Sequence, residues 1–204
     1  MKRLLISILL CFSLVLSADA RMSLMQLAAD TPPGAAPCTT SQQAEDGAAD
    51  GYATVGQYSV DIYQATQFSY SGTTGKQICQ INLWLSKEGS PTDNYYVGIW
   101  GDDAGNTEPD NGNILGTCDA INSAALQTSE TEEAITCSTP TDALTNGTLY
   151  WVVMYRDGSA NETNYVEWYL DEGGTTKNID ADTDGADWAD ESSAATLKFE
   201  LISQ

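Results

Sequence analysis

From position 58 onward the chain is a series of short runs in which apolar and polar residues alternate, and none sustains a helical period. In 77–87, QICQINLWLSK, alternation puts Cys79, Ile81, Leu83 and Leu85 on one side of a strand and Ile78, Gln80, Asn82 and Trp84 on the other. In 94–101, NYYVGIWG, the core side is Tyr95, Val97 and Ile99, leaving Tyr96, Gly98 and Trp100 opposite. In the last run Leu197, Phe199 and Leu201 point in while Lys198 and Glu200 point out. Strands are predicted over 65–71, 77–87, 94–101, 113–118, 133–138, 148–156, 164–170 and 195–202, separated by Gly, Asn, Asp and Ser clusters. About eight strands without a long helix predict an all-β protein, an antiparallel β-sandwich of jelly-roll-like or immunoglobulin-like type.

The first 51 residues follow a different pattern. Lys2 and Arg3, the apolar stretch 4–16 and the closing Ser17-Ala18-Asp19-Ala20 have the order of a secretory signal peptide over 1–20. Cys11 follows Leu10, where a lipobox would place a small residue, so lipid anchoring is not expected. Residues 21–51, with TPPGAAPC at their centre, read as an extended leader or linker, with room for a short helix at 22–29 and with Cys38 placed to pin it to the body. The sandwich domain is then 52–204, and the expected location is secreted or cell-surface, without membrane insertion once the signal is cleaved.

Charge narrows the partners. Removing Lys2, Arg3 and Asp19 from 8 basic and 29 acidic residues leaves 6 and 28, a formal charge of −22. Such a chain repels nucleic acid and anionic lipid and favours metal cations or a saline medium. The sequence holds no histidine, which removes the usual general base, the Ser-His and Cys-His pairs and the common zinc sites. With no nucleophile motif such as G-x-S-x-G either, the expectation is a protein that is not an enzyme and requires no cofactor, calcium being the one ion to consider. Four cysteines remain after cleavage and allow three pairings. Cys118 and Cys137, on consecutive predicted strands, are the natural pair, which leaves Cys38 with Cys79.

The stretch 180–191, DADTDGADWADE, matches the calcium loop pattern D-x-[DN]-x-[DN]-G-x5-E, with Asp180, Asp182, Asp184 and Glu191 as ligands and Gly185 at the turn. Its flanks are not helical, and Asp184-Gly185 is a hairpin signal in its own right, so a turn before the final strand is the preferred reading. The loop 101–113 offers a second set of oxygens in Asp102, Asp103, Asn106, Asp110 and Asn111, with a solvated hairpin loop as the simpler reading. Asn146-Gly147-Thr148 and Asn161-Glu162-Thr163 fit the glycosylation pattern but read first as turns. Gln80, Asn82 and Trp84 together with Tyr96 and Trp100 would form a carbohydrate-binding platform if they shared one sheet face, the alternative being plain packing.

The pieces ICQINLWLSKEGSPTDNYYVGIW, ILGT, LTNGTLYWVVMY, NYVEWYL, DGADW and LKFEL, in that order, resemble the choice-of-anchor R type domain of secreted and surface proteins over about 59–203. That resemblance implies a jelly-roll-like, non-catalytic module and supplies no catalytic or ligand residues. The function expected is a structural or adhesive extracellular module whose partners are other copies or other surface proteins, joined through strand edges or the 21–51 leader. A module binding glycans is the alternative.

Overall fold

A computed structural model describes residues 37–105, 107–171, 177–181, 185, 187–192 and 195–204. The signal-peptide residues and most of the leader lie outside them. The strands are β1 (Thr40–Glu45), β2 (Gly51–Val55), β3 (Tyr63–Ser69), β4 (Ile78–Glu88), β5 (Asn94–Asp102), β6 (Pro109–Thr117), β7 (Ile121–Asn122), β8 (Thr131–Thr136), β9 (Leu149–Asp157), β10 (Tyr165–Asp171), β11 (Asn178–Ala181), β12 (Trp188–Ser192), β13 (Thr196–Leu197) and β14 (Phe199–Ser203). One 3-10 turn, Ser123–Ala125, follows β7.

Two antiparallel sheets form a sandwich. The first runs β1-β14-β4-β10-β13, with β2 also on β10 and β8 on β4; the second runs β12-β11-β3-β9-β5-β6, with β7 on β5. Their facing sides carry most of the residues that alternation assigned to the core, and also Ile78, which alternation placed outside and which a register shift between β4 and β14 turns inward. Ile81, Leu83, Leu85, Phe199 and Leu201 from the first sheet pack with Phe68, Val97, Ile99, Val152 and Met154 from the second in one buried cluster. The rings of Phe68 and Phe199 meet across the layer with centroids 5.1 Å apart. Each such side chain contributes about 1.5–3 kcal/mol through its removal from water.

The chain has more strands than its pattern shows. β1, β2, β7, β11 and β12 were not anticipated, and each is short or dominated by Gln, Ala, Asp and Thr. The leader reading needs correction at its end, because β1 adds to the first sheet by pairing with β14, and Gly51 already opens β2. The same pairing occupies 40–45 within its own sheet, so that stretch is not free to enter a neighbour's. Gly185, with φ +64°, lies between β11 and β12, which pair as a hairpin, as the Asp-Gly signal indicated.

Both expected disulfides are present. Cys38–Cys79 ties the segment before β1 to β4 and closes 41 residues; Cys118–Cys137 ties the end of β6 to the end of β8 and closes 19. Loop-closure entropy assigns them about 4 and 3 kcal/mol.

Candidate functional site

The outward side of β4 carries Gln80, Asn82 and Trp84, set there by strand alternation. Asn82, 7 % exposed, donates its Nδ2 to Glu132 on β8 at 2.8 Å and to Glu200 on β14 at 3.0 Å, because those residues sit on the strands flanking it. Gln80 donates to Asn82 Oδ1 at 2.7 Å. One residue pair further along, the Lys198 ammonium lies 4.9 Å from the centre of the half-buried Trp84 ring and pairs with Glu130 at 2.6 Å. Ser86 hydrogen-bonds Glu167 on β10. This face is a polar, acidic layer whose amide donors are engaged within the sheet.

Tyr96 and Trp100 are elsewhere. They project from β5, in the second sheet, so the five proposed sugar-binding residues occupy the outer sides of two different sheets. The single platform does not form. Trp100 is only 4 % exposed and packs with Ala65, Trp151, Val153 and Ile179, joined by Tyr63 and Trp188, in a second apolar cluster outside the main core. Tyr96 lies in register with Tyr155 and Tyr63 on the adjoining strands, and the three rings stack at 5.4 and 5.0 Å. Both faces of Tyr155 are therefore covered by neighbouring tyrosines. Trp188 reaches over from β12 to meet Trp100 edge to face at 6.3 Å, so the hairpin caps this side of the sheet. Beneath it the Asp102 carboxylate accepts Trp151 Nε1 at 2.5 Å and Gln67 Nε2 at 2.8 Å through one oxygen.

The two acid-rich loops, separate in sequence, meet at one small cleft of about 120 Å³ lined by Asp103, Glu108, Pro109, Asp110, Asn111, Gly185 and Trp188. Asp103 accepts the backbone N–H groups of Gly105, Thr107 and Glu108, which holds its carboxyl below the ordinary range and fixes the loop. That is the behaviour of a hairpin-loop aspartate. Asn106, Asp182 and Asp184 lie outside the described residues, as does the Glu191 side chain. Among the described residues no group of three His, Cys, Asp or Glu side chains gathers to hold a metal. Asp180 faces away from this cleft, on the inner side of β11 opposite Gln64. Burial, with the nearby charge of Asp61, holds its carboxyl above the ordinary range.

Sequence reasoning missed the polar groups at the loop end. Arg156, 5 % exposed, pairs with Asp93 and donates to the carbonyls of Gly56 at 2.7 Å and Asn164 at 3.1 Å. Asn164 in turn accepts the Ser90 N–H at 2.7 Å, locking the β4–β5 turn to the β9–β10 loop around an open polar cleft of about 430 Å³. The available signal was Arg156 itself, the one arginine after Arg21 and placed at the end of an apolar strand. Asn161 accepts from the backbone of Thr163 and Asn164, and Gly147 has φ +79°, so both Asn-x-Thr stretches are turns.

No family model matches this sequence, and no curated protein matches it. Among solved structures, the cysteine protease and lectin-like domains of Cwp84, a surface layer associated protein of Clostridium difficile, align with it at 12 % identity and a TM-score of 0.49. The alignment covers 71 % of this chain and 32 % of that one, about a third of its length.

Proposed function

We propose that this chain is a non-catalytic extracellular module that adheres through the edge of its first sheet. The observation that carries this reading is the exposed apolar group around β2: Tyr52 is 50 % exposed, Tyr58 49 % and Val60 60 %. Among the described residues β2 pairs with β10 alone, and its register places Tyr52 against Tyr169, whose ring it meets at 6.0 Å. An edge strand with unpaired main-chain groups and protruding aromatics suits a contact with another protein or another copy. Glu167 beside Tyr52 raises the phenol's pKa and keeps the patch acidic, so contacts between copies should strengthen with salt or divalent cations. Disulfides, the signal-like N-terminus and the resemblance to secreted surface domains support the location, and the lack of histidine supports a non-catalytic role.

The test is sedimentation of the mature chain at low and high salt and with millimolar calcium, beside adhesion to a surface coated with the same protein. Association that weakens in Tyr52→Ser with Val60→Ser supports the reading. A chain that stays monomeric and non-adherent in every condition overturns it. A second reading, glycan binding, keeps a smaller footprint at Trp84, which lies opposite Glu132 on β8 with the Lys198 ammonium over its ring. A glycan array showing binding that Trp84→Ala abolishes and Trp100→Ala leaves intact would favour it.

A further inference from the structure

The inner side of the β3–β11 pair holds polar groups that the apolar core around them leaves without partners. Gln64 is fully buried, and neither its Oε1 nor its Nε2 has a hydrogen-bond partner. Asn178, 3 % exposed, donates its Nδ2 to the Ala195 carbonyl at 2.8 Å but leaves Oδ1 unpartnered. Register brings these together: Gln64 stands directly opposite Asp180, and Asn178, opposite Thr66, is the diagonal neighbour. Direct cross-strand Cβ atoms lie about 4.5–5.5 Å apart and diagonal ones about 7–8 Å, within reach of a glutamine side chain. All three point to the side opposite Ala65 and Ile179, which serve the outer cluster. Buried amides are almost always hydrogen-bonded, so two unpaired amide oxygens beside a carboxylate suit a cation or a donor group held between them.

We propose that Asp180, Gln64 Oε1 and Asn178 Oδ1 form a calcium site on the inner side of β3 and β11, separate from the loop pattern 180–191 to which Asp180 also belongs. Amide and carboxylate oxygens are the ligands of a hard cation, and the absence of nitrogen or sulfur from the set disfavours zinc. Asp61, 4 % exposed, adds negative field rather than a ligand. Its two oxygens already accept Thr54 Oγ1 at 2.6 Å and the Tyr58 N–H at 2.5 Å, and the nearby cation, Arg156, is bonded to Asp93. Asp180 is half-buried, so its solvent side is the ion's way in. One ligating carboxylate with two neutral oxygens, water completing the shell, fits the weak end of protein calcium sites, a Kd of about 10⁻⁴–10⁻³ M, which suits an extracellular medium.

This site stands apart from the adhesive reading, because its readout is the monomer. The experiment strips the mature chain with chelator and titrates it with calcium in thermal melts, then with terbium, read by luminescence and by competition with calcium. The expected result is a melting temperature that rises with millimolar calcium, and terbium binding weakened at least tenfold in Asp180→Asn and in Gln64→Leu. Asp182→Ala with Asp184→Ala should leave both intact, since only the loop pattern uses those two residues. Should Gln64→Leu fail to fold by near-ultraviolet circular dichroism, the Asp182→Ala, Asp184→Ala protein decides alone: retained binding supports the site. No calcium response in the wild type, or a response lost with Asp182 and Asp184, overturns it.

Discussion

The outer sides of the two sheets solve one problem in opposite ways. On the first sheet, Gln80, Asn82, Glu132, Glu200, Glu130 and Lys198 form a polar layer that water can finish. On the second, Trp100, Trp151, Trp188, Tyr63 and Ile179 form a second apolar layer capped by the β11–β12 hairpin. A sheet wet on one side needs only alternation, whereas a sheet dry on both sides also needs a cover and leaves buried polar atoms to be partnered, and here, among the described residues, Trp100 Nε1, Trp188 Nε1 and the second Asp102 oxygen go without. Asp102 shows the consequence, since it is the acceptor that makes the buried Trp151 N–H tolerable there, and it also takes the half-buried Gln67 amide.

The difference can be broken most severely at Trp151, which is fully buried on the capped side. Trp151→Ala should cost about 3–5 kcal/mol of unfolding free energy. Trp84→Ala, on the wet side, should cost under about 1 kcal/mol, in keeping with a partly exposed position. Urea denaturation of the two variants checks this, and equal losses would mean that the hairpin does not seal the second sheet. Next in size is Asp102→Leu, which removes the acceptor of the buried Trp151 indole N–H. The expected loss is about 1–3 kcal/mol, with Trp151 fluorescence shifted as its indole loses the carboxylate.

Asn82→Ala tests the wet side in the same way. It frees Glu132 and Glu200 from their shared donor, but both carboxylates can turn to water, so the expected loss is under about 1 kcal/mol and should shrink further in high salt. A loss as large as that for Asp102→Leu would show that the first sheet's outer network is sealed after all.

The smallest effect concerns Asp180 and its pH dependence in chelator. Its carboxyl is held above the ordinary range, chiefly by burial and then by Asp61, so the folded state takes up its proton before the unfolded chain does. Its contribution to stability is full below the unfolded value and lost as pH rises through the folded one. Asp180→Asn should therefore melt slightly higher than the wild type at neutral pH, and the gap should close as the solution is acidified below the folded value. A gap independent of pH would assign the effect to shape rather than charge.

How far the sequence could be read follows the same division. The middle of β4 and β14 alternates because one side of the first sheet is wet, so Ile81, Leu83, Leu85, Phe199 and Leu201 were legible, but Ile78, read as outward, is buried in the core where a register shift beside it breaks the alternation. β9, LYWVVMYRD, is apolar on both sides, so it was found as a strand while its outer layer was not recognised. β1 gave no signal, since TSQQAE buries too little to impose a pattern, and GYATV of β2, though it buries Ala53 and Val55, is too short to stand out. The calcium pattern at 180–191 drew attention to Asp180 for its loop, while Gln64 is brought to it by strand pairing and Asn178 precedes it by two residues on the same strand.

Local order along the chain was enough to determine most strands of the main core, the Asp-Gly hairpin and the acidity, and to favour the disulfide pairs that form, because a period of two, a turn preference and a charge count are properties of near neighbours. Which sheet each strand joins was decided by tertiary structure alone. Alternation states that Trp84 and Trp100 both face away from the core, but it is the same for either side of a sandwich. Only the pairing of β4 with β14, β8 and β10, and of β5 with β9, places the two tryptophans on opposite outer surfaces, one wet and one sealed.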